Sequence, residues 1–268
     1  MKENLFGFIG SGNMGGALAT AISKKYNGAS LLIADADNKK SEALAEKISA
    51  TAHSNEFIAE NCKFIFLAVK PQIMEKVLGS IKDQLKNRSD RFVLVTMAAG
   101  LSTEKIAAFA GGDYPIIRIM PNTPVFVGEG MILYTANNNV ADSEISEFLD
   151  AMEYSGKLDR IDEKLIDAAG SLSGCGPAFV YLFAEALADG AVECGVPRDK
   201  ALLYASQTIL GAAKMLIETN EHPGKLKDAV CSPGGTTIAG VHALEEGAFR
   251  STAMNAIKSA YDRTLELK

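Results

Sequence analysis

An apolar run from Leu5 to Ile9 ends on Gly10-Ser11-Gly12-Asn13-Met14-Gly15, and the residues from Met14 to Lys24 then become rich in alanine and leucine. The apolar run reads as a strand, the alanine-rich stretch as a helix, and the glycines between them as a tight turn. In that setting the spacing G-x-G-x-x-G has a physical meaning. The first glycine permits the turn, the second lets the backbone approach a pyrophosphate, and the third lets the helix pack closely on the strand. Backbone N–H groups at the helix start then face the diphosphate, and the positive end of the helix adds about 0.3–1 kcal/mol per favourable interaction. Gly10, Ser11, Gly12, Asn13, Met14 and Gly15 are therefore candidate contacts to a dinucleotide. A glycine turn that merely packs is the alternative for the motif taken alone.

The second apolar run counts against that alternative. Leu31-Leu32-Ile33-Ala34 stops at Asp35, where a carboxylate can accept a hydrogen bond from a ribose 2′-hydroxyl. A 2′-phosphate there would meet like charge, worth roughly 4 kcal/mol for unit charges at about 4 Å and an effective dielectric near 20. The expectation is NADH in preference to NADPH, although Lys39 and Lys40 lie close enough in sequence to neutralise a phosphate. Lys39 to Ile48 reads as a helix. Phe64 to Val69 and Phe92 to Val95 are apolar on consecutive residues, as in strands covered on both faces, and Ile116 to Met120 is a further candidate. Strands alternating with helices imply a doubly wound α/β sheet of parallel strands, a Rossmann-type unit over residues 1–160.

Beyond about residue 160 the β-branched runs fade and long segments rich in alanine, leucine and methionine take over, so residues 161–268 read as all-α. Phe179, Leu182, Phe183, Ala186 and Leu187 share a helical face whose remaining surface is small and apolar. Pro197 can open the next helix, and a last one runs from about Phe249 to Leu267. Helices with so little polar surface imply a second subunit over them.

Composition bounds the function. The chain has 268 residues, 47% of them hydrophobic and 22% charged, with a net charge of −6. That is globular usage for one or two domains, with no general attraction to nucleic acid or anionic lipid. The N-terminus lacks an uninterrupted secretory core, and the apolar runs are short or broken by charge, so neither export nor a membrane span is expected. Four cysteines form no C-x-x-C pair, and three histidines form no ligand-like cluster; a reducing cytoplasm and no structural metal are the expectations.

Other loops carry the substrate signal. The strand at Phe64 leads into Ala68-Val69-Lys70-Pro71, and the strand at Phe92 leads into Met97-Ala98-Ala99-Gly100, whose small residues admit a ring close to the backbone. The most unusual segment is Ser232-Pro233-Gly234-Gly235-Thr236-Thr237, between two helical stretches. Backbone donors at a helix entry, with the hydroxyls of Ser232, Thr236 and Thr237, can hold a small carboxylate without an arginine, although a plain N-cap after a Pro-Gly turn explains the same residues.

The run Lys227-Asp228-Ala229-Val230-Cys231-Ser232-Pro233-Gly234-Gly235-Thr236-Thr237-Ile238-Ala239-Gly240 resembles the signature of the pyrroline-5-carboxylate reductase family. So do Arg118-Ile119-Met120-Pro121-Asn122-Thr123-Pro124, Ser173-Gly174-Cys175-Gly176-Pro177-Ala178 and Gly211-Ala212-Ala213-Lys214-Met215. The resemblance implies NAD(P)H-dependent reduction of (S)-1-pyrroline-5-carboxylate to L-proline, the last step of proline biosynthesis. It implies that the glycine loop, Asn55, Ala68, Lys70, Pro71 and Ala99 lie along the cofactor, and that Glu163, Ser232, Gly235, Thr236 and Thr237 meet the substrate, an imine carboxylate. Thr237 then hydrogen-bonds the ring nitrogen and Glu163 supplies negative charge, the two residues assigned to catalysis. It also implies a homodimer interlocked through the helical domain, with sites at the subunit interface and decamers in many members.

Two residues depart from the family pattern: Ala229 stands where some relatives carry Asn, and Asp35 puts the NADPH preference of many relatives in doubt. The competing readings are a Rossmann reductase of the β-hydroxyacid dehydrogenase type and a nonenzymatic nicotinamide-binding regulator. The first places a catalytic lysine where Gly174-Cys175-Gly176-Pro177 has none.

Overall fold

A computed structural model describes residues 5–266. Among these, residues 5–175 together with 261–266 form one compact unit, and Gly176–Ala260 form another. The first unit therefore extends past residue 160, because the helix Glu163–Ser173 is tied into the sheet: Arg118 of the strand Ile116–Met120 pairs with Asp167, and Gly170 sits so close to Met120 that an added Cβ would lie 2.9 Å from its Cγ.

The sheet of the first unit has eight strands: β1 (Phe6–Ile9), β2 (Leu31–Ala34), β3 (Thr51–Ala52), β4 (Phe64–Leu67), β5 (Val93–Thr96), β6 (Ile116–Met120), β7 (Gly130–Ala136) and β8 (Gly156–Arg160). Their order is β3-β2-β1-β4-β5-β6-β7-β8, parallel from β3 to β6. Helices α1 (Asn13–Ser23), α2 (Asn38–Ile48), α3 (Asn55–Asn61), α4 (Pro71–Asn87) and α5 (Thr103–Ala110) make the crossovers, and α6 (Asp142–Ala151) links β7 to β8. The strand order reverses direction after β1, which places a crevice at the carboxyl ends of β1 and β4, where open α/β sheets bind ligands. This is the doubly wound architecture expected, with one exception. β7 runs antiparallel to β6, because the connection Pro121 to Glu129, a short 3₁₀ turn with two prolines, leaves no room for a crossover helix.

The consecutive apolar residues of the central strands are explained by burial on both faces. Phe6, Phe8, Phe64, Phe66, Val93 and Val95 join one core, while Ile9, Leu32, Ile65, Leu67 and Leu94 join the other. In register, Phe8 pairs with Phe66 across β1 and β4, and their rings stack with centroids 4.4 Å apart.

The second unit contains α8 (Gly176–Glu193), α9 (Arg198–Thr219), α10 (Pro223–Ala229), α11 (Thr236–Glu246) and the first part of α12 (Phe249–Glu266). Pro197 caps α9 from outside rather than occupying its first turn. Its core is small, with Ala188, Ala201 and Ala205 buried. By contrast Leu182, Ile217 and Met254 are 67%, 73% and 72% exposed, and a cavity of about 600 Å³ is lined by Phe179, Leu182, Phe183, Leu244 and Phe249. The helical stretch Glu163–Glu193 is long and apolar enough to cross a membrane by length and composition.

The junction of β1 and α1 rests on two absent side chains. Gly10 has φ +106, and a Cβ there would lie 2.4 Å from the Ala68 carbonyl oxygen; a Cβ on Gly15 would lie 2.3 Å from the Gly10 oxygen and 2.7 Å from the Ala68 Cβ. Two of these contacts are to backbone, which cannot swing aside. Gly15→Ala is expected to destabilise the first unit by about 1–3 kcal/mol, measured by urea unfolding; an unchanged midpoint would contradict this packing.

Candidate active site

The carboxyl ends of β1 to β5 bring most of the expected cofactor residues to one edge of the sheet: the glycine loop after β1, Asp35 after β2, Asn55 after β3, Ala68 to Pro71 after β4 and Ala99 after β5. Gly12 is the N-cap of α1 and no side chain caps that helix end. Its first N–H groups therefore have no intrahelical partner. An added Cβ on Gly12 would meet nothing within 4 Å, in contrast to Gly10 and Gly15. The three glycines thus divide their work as a dinucleotide requires, with two closing the turn and the middle one open to a diphosphate. Lys70 is the exposed N-cap of α4, with Pro71 at its first turn and no side-chain cap.

Ser11 is the member of the loop that turns away from this role. Its N–H donates to Asp35 Oδ2 at 2.7 Å, and its hydroxyl donates to the same oxygen at 2.9 Å; the Asp37 N–H donates to Oδ1 at 3.0 Å. Burial pushes the Asp35 carboxyl up, but these three bonds, helped by the charge of Lys40, outweigh it and hold the group below the usual carboxylate range. Asp35 is thus an anion clamped to the loop. Next to the glycine loop lies a cavity of about 300 Å³ whose walls include Ser11, Gly12, Asn13, Gly16, Lys40 and Lys47. The residues present fit a dinucleotide: an uncapped helix start, an open glycine, and polar groups at the ribose end.

Glu163, the first residue of α7 (Glu163–Ser173), has both oxygens engaged. The Thr103 N–H donates to Oε1 at 2.7 Å, the Thr103 hydroxyl donates to Oε2 at 2.8 Å, and Arg118 Nη1 lies 3.5 Å from Oε1. Glu163 therefore holds the start of α5 and shares its charge with a guanidinium. Arg118 is buried, and its other arm reaches Asp167 at 2.5 Å. A lone arginine inside the apolar run Ile116 to Met120 was a legible signal for this pair, since a charge in a covered strand needs a partner.

In the second unit, Ser232 to Gly235 form the expected turn. Gly235 N–H donates to the Ser232 carbonyl at 3.0 Å, and Gly234 has φ +67 after Pro233, as a type II turn requires. Gly235 is the N-cap of α11 and again no side chain caps it. A Cβ on Gly235 would lie 2.3 Å from Ser232 Oγ. Ser232, Thr236 and Thr237 are exposed, the two threonines lie at the helix start, and the amides there point outward from an end that offers partial positive charge.

Residues 163–267 match the family model described as pyrroline-5-carboxylate reductase dimerisation, and residues 5–100 match that described as NADP oxidoreductase, coenzyme F420-dependent. The chain is 40% identical over 263 residues to the pyrroline-5-carboxylate reductase of Pisum sativum, covering 97% of this chain and 95% of that one. It is 39% identical to the Escherichia coli enzyme of the same name, covering 99% and 98%. The crystal structure of pyrroline carboxylate reductase from Plasmodium falciparum, with NADP bound, superimposes with a TM-score of 0.87 at 35% identity over 98% of both chains. With this similarity running through both the glycine loop of the first unit and the Ser-Pro-Gly-Gly turn of the second, the chain belongs to the pyrroline-5-carboxylate reductase family.

Proposed function

We propose that this chain reduces (S)-1-pyrroline-5-carboxylate to L-proline at the expense of NADH or NADPH. The observation that carries the reading is a pair of uncapped helix starts, each preceded by glycine: Gly12 before α1 and Gly235 before α11. The first suits a diphosphate and the second a small carboxylate.

A bound reduced nicotinamide supplies a hydride from C4. The chain's own task is to hold the two rings in reacting geometry and to favour the iminium form of the substrate, whose carbon is the better acceptor. As that carbon gains the hydride, the C=N π pair moves onto nitrogen, and the proton already there completes the amine, so no side chain has to deliver a proton. The amides of Thr236 and Thr237, with the Ser232 hydroxyl and the space kept by Gly235, take the carboxylate. Thr237 Oγ1 accepts the N–H of the ring. Glu163 supplies negative charge in a fixed position, held by Thr103 and Arg118. Along the cofactor, Gly10 to Gly15, Asn55, Ala68, Lys70, Pro71 and Ala99 are the proposed contacts.

Asp35 supports NADH, since a carboxylate placed at the end of β2 accepts from a ribose hydroxyl and opposes a 2′-phosphate. Lys40 and Lys47, on the walls of the cavity beside the loop, are the observation in favour of NADPH. The exposed apolar surface of the second unit supports a homodimer formed through those helices, and assembly into a decamer is the further step proposed. The same surface explains why an apolar stretch such as Glu163–Glu193 need not enter a membrane, and we place the enzyme in the cytoplasm.

Purified protein is expected to oxidise NADH when given the imine. Turnover of a 2- or 3-keto acid instead, or cofactor binding without turnover, would contradict the reading. Thr237→Val is expected to lower kcat/KM for the imine by about 10- to 100-fold, the worth of one hydrogen bond to a charged group, with cofactor affinity intact. Asp35→Ser is expected to move the NADH to NADPH ratio of kcat/KM toward NADPH by roughly tenfold or more, because a like-charge repulsion of a few kcal/mol is removed; an unmoved ratio would remove Asp35 from the cofactor site.

A further inference from the structure

The Ser11 hydroxyl has one proton, and it donates that proton's hydrogen bond to Asp35 Oδ2. An ionised carboxylate only accepts, so the hydrogen in this bond must belong to Ser11, and the Ser11 oxygen is left with its lone pairs free to accept. The backbone N–H of Ser11 is spent on the same Asp35 oxygen. Asp35 Oδ2 thus receives two donors, while Oδ1 receives one, from Asp37, and keeps room for another. At this end of the glycine loop two neighbouring oxygens, Ser11 Oγ and Asp35 Oδ1, can accept hydrogen bonds and neither can donate one. Ser11 also lines the cavity next to the loop.

A ribose diol presents donors and matches such a pair. A phosphate monoester presents only acceptors and negative charge, and does not. We propose that Ser11 is a specificity-determining residue for the cofactor: its hydroxyl, oriented by Asp35, completes an acceptor-only pair that admits an adenosine ribose with a free 2′-hydroxyl and rejects one carrying a 2′-phosphate. This rests on the reading of Asp35 as the ribose-facing carboxylate, and extends it from one residue to two. Ser11 acts both by its own lone pairs and by filling Oδ2, which fixes the carboxylate so that Oδ1 is the oxygen offered. The lowered titration of Asp35 agrees, since the carboxylate stays ionised and goes on accepting the hydrogen bond from the Ser11 hydroxyl in the neutral range.

The test compares binding of NAD⁺ and NADP⁺ by calorimetry to the full chain and to Ser11→Ala, Ser11→Thr, Asp35→Ser and the double variant Ser11→Ala/Asp35→Ser, with thermal unfolding checked for each. Ser11→Ala is expected to weaken NAD⁺ about fivefold, of the order of one lost hydrogen bond, and to leave NADP⁺ unweakened. Ser11→Thr, which retains a hydroxyl, is expected to restore most of the NAD⁺ affinity. In the Asp35→Ser background the added Ser11→Ala change is expected to do nothing to the ratio. Equal loss for both dinucleotides, or an undiminished effect in the Asp35→Ser background, would make Ser11 a loop-packing residue and overturn the proposal, as would no change at all. If Asp35→Ser alone leaves the ratio unmoved, the underlying assignment of Asp35 fails; if Asp35→Ser moves it and Ser11→Ala does not, only the role of Ser11 fails.

Discussion

The first unit depends on backbone coming into contact with backbone where β1 hands over to α1. The Ala68 carbonyl occupies the place of a Gly10 side chain, and the Gly10 carbonyl occupies the place of a Gly15 side chain. These contacts bring three segments to one point of the sheet edge, and they aim the start of α1 at the crevice without any side chain to cap it. The result is a set of fixed N–H donors whose orientation costs nothing at the moment a ligand binds. Asp35 adds the second constraint, since it ties the loop to the end of β2.

The second unit repeats the device with different means. A proline and two glycines form the turn, Gly234 takes the left-handed conformation, and Gly235 leaves the start of α11 uncapped. The rest of that unit is governed by apolar area. Each large aliphatic side chain left in water forgoes about 1.5–3 kcal/mol of burial, and Leu182, Ile217 and Met254 are only three of those exposed. A second copy of the chain over these helices buries that area.

Much of this was legible in the sequence because it came from strong local signals. The glycine loop, the runs at Leu31, Phe64 and Phe92, and the Pro-Gly turn before Thr236 each have a distinct cause in backbone sterics or two-faced burial, and each lies close to its expected place. β8 was not legible, because Gly156–Arg160 is mostly exposed and carries no continuous apolar run, whereas β7 holds the apolar run Met131-Ile132-Leu133-Tyr134, a signal that sequence reasoning missed. In sequence α7 looks like another alanine-rich helix, and it is the buried pair of Arg118 with Asp167 that fastens it to the sheet. Glu163 could be named from resemblance, whereas its engagement by Thr103 depends on residues sixty positions apart. The hydrogen bonds of Ser11 to Asp35 are likewise a tertiary fact, with twenty-four positions between them.

A crystal structure of the protein with NAD⁺ and L-proline tests the central claim most directly. The expected result is a diphosphate within hydrogen-bonding distance of the amides that come after Gly12, and a proline carboxylate on the amides of Thr236 and Thr237. Proline bound at any other place, with the turn from Ser232 to Gly235 making no contact to it, would contradict the account.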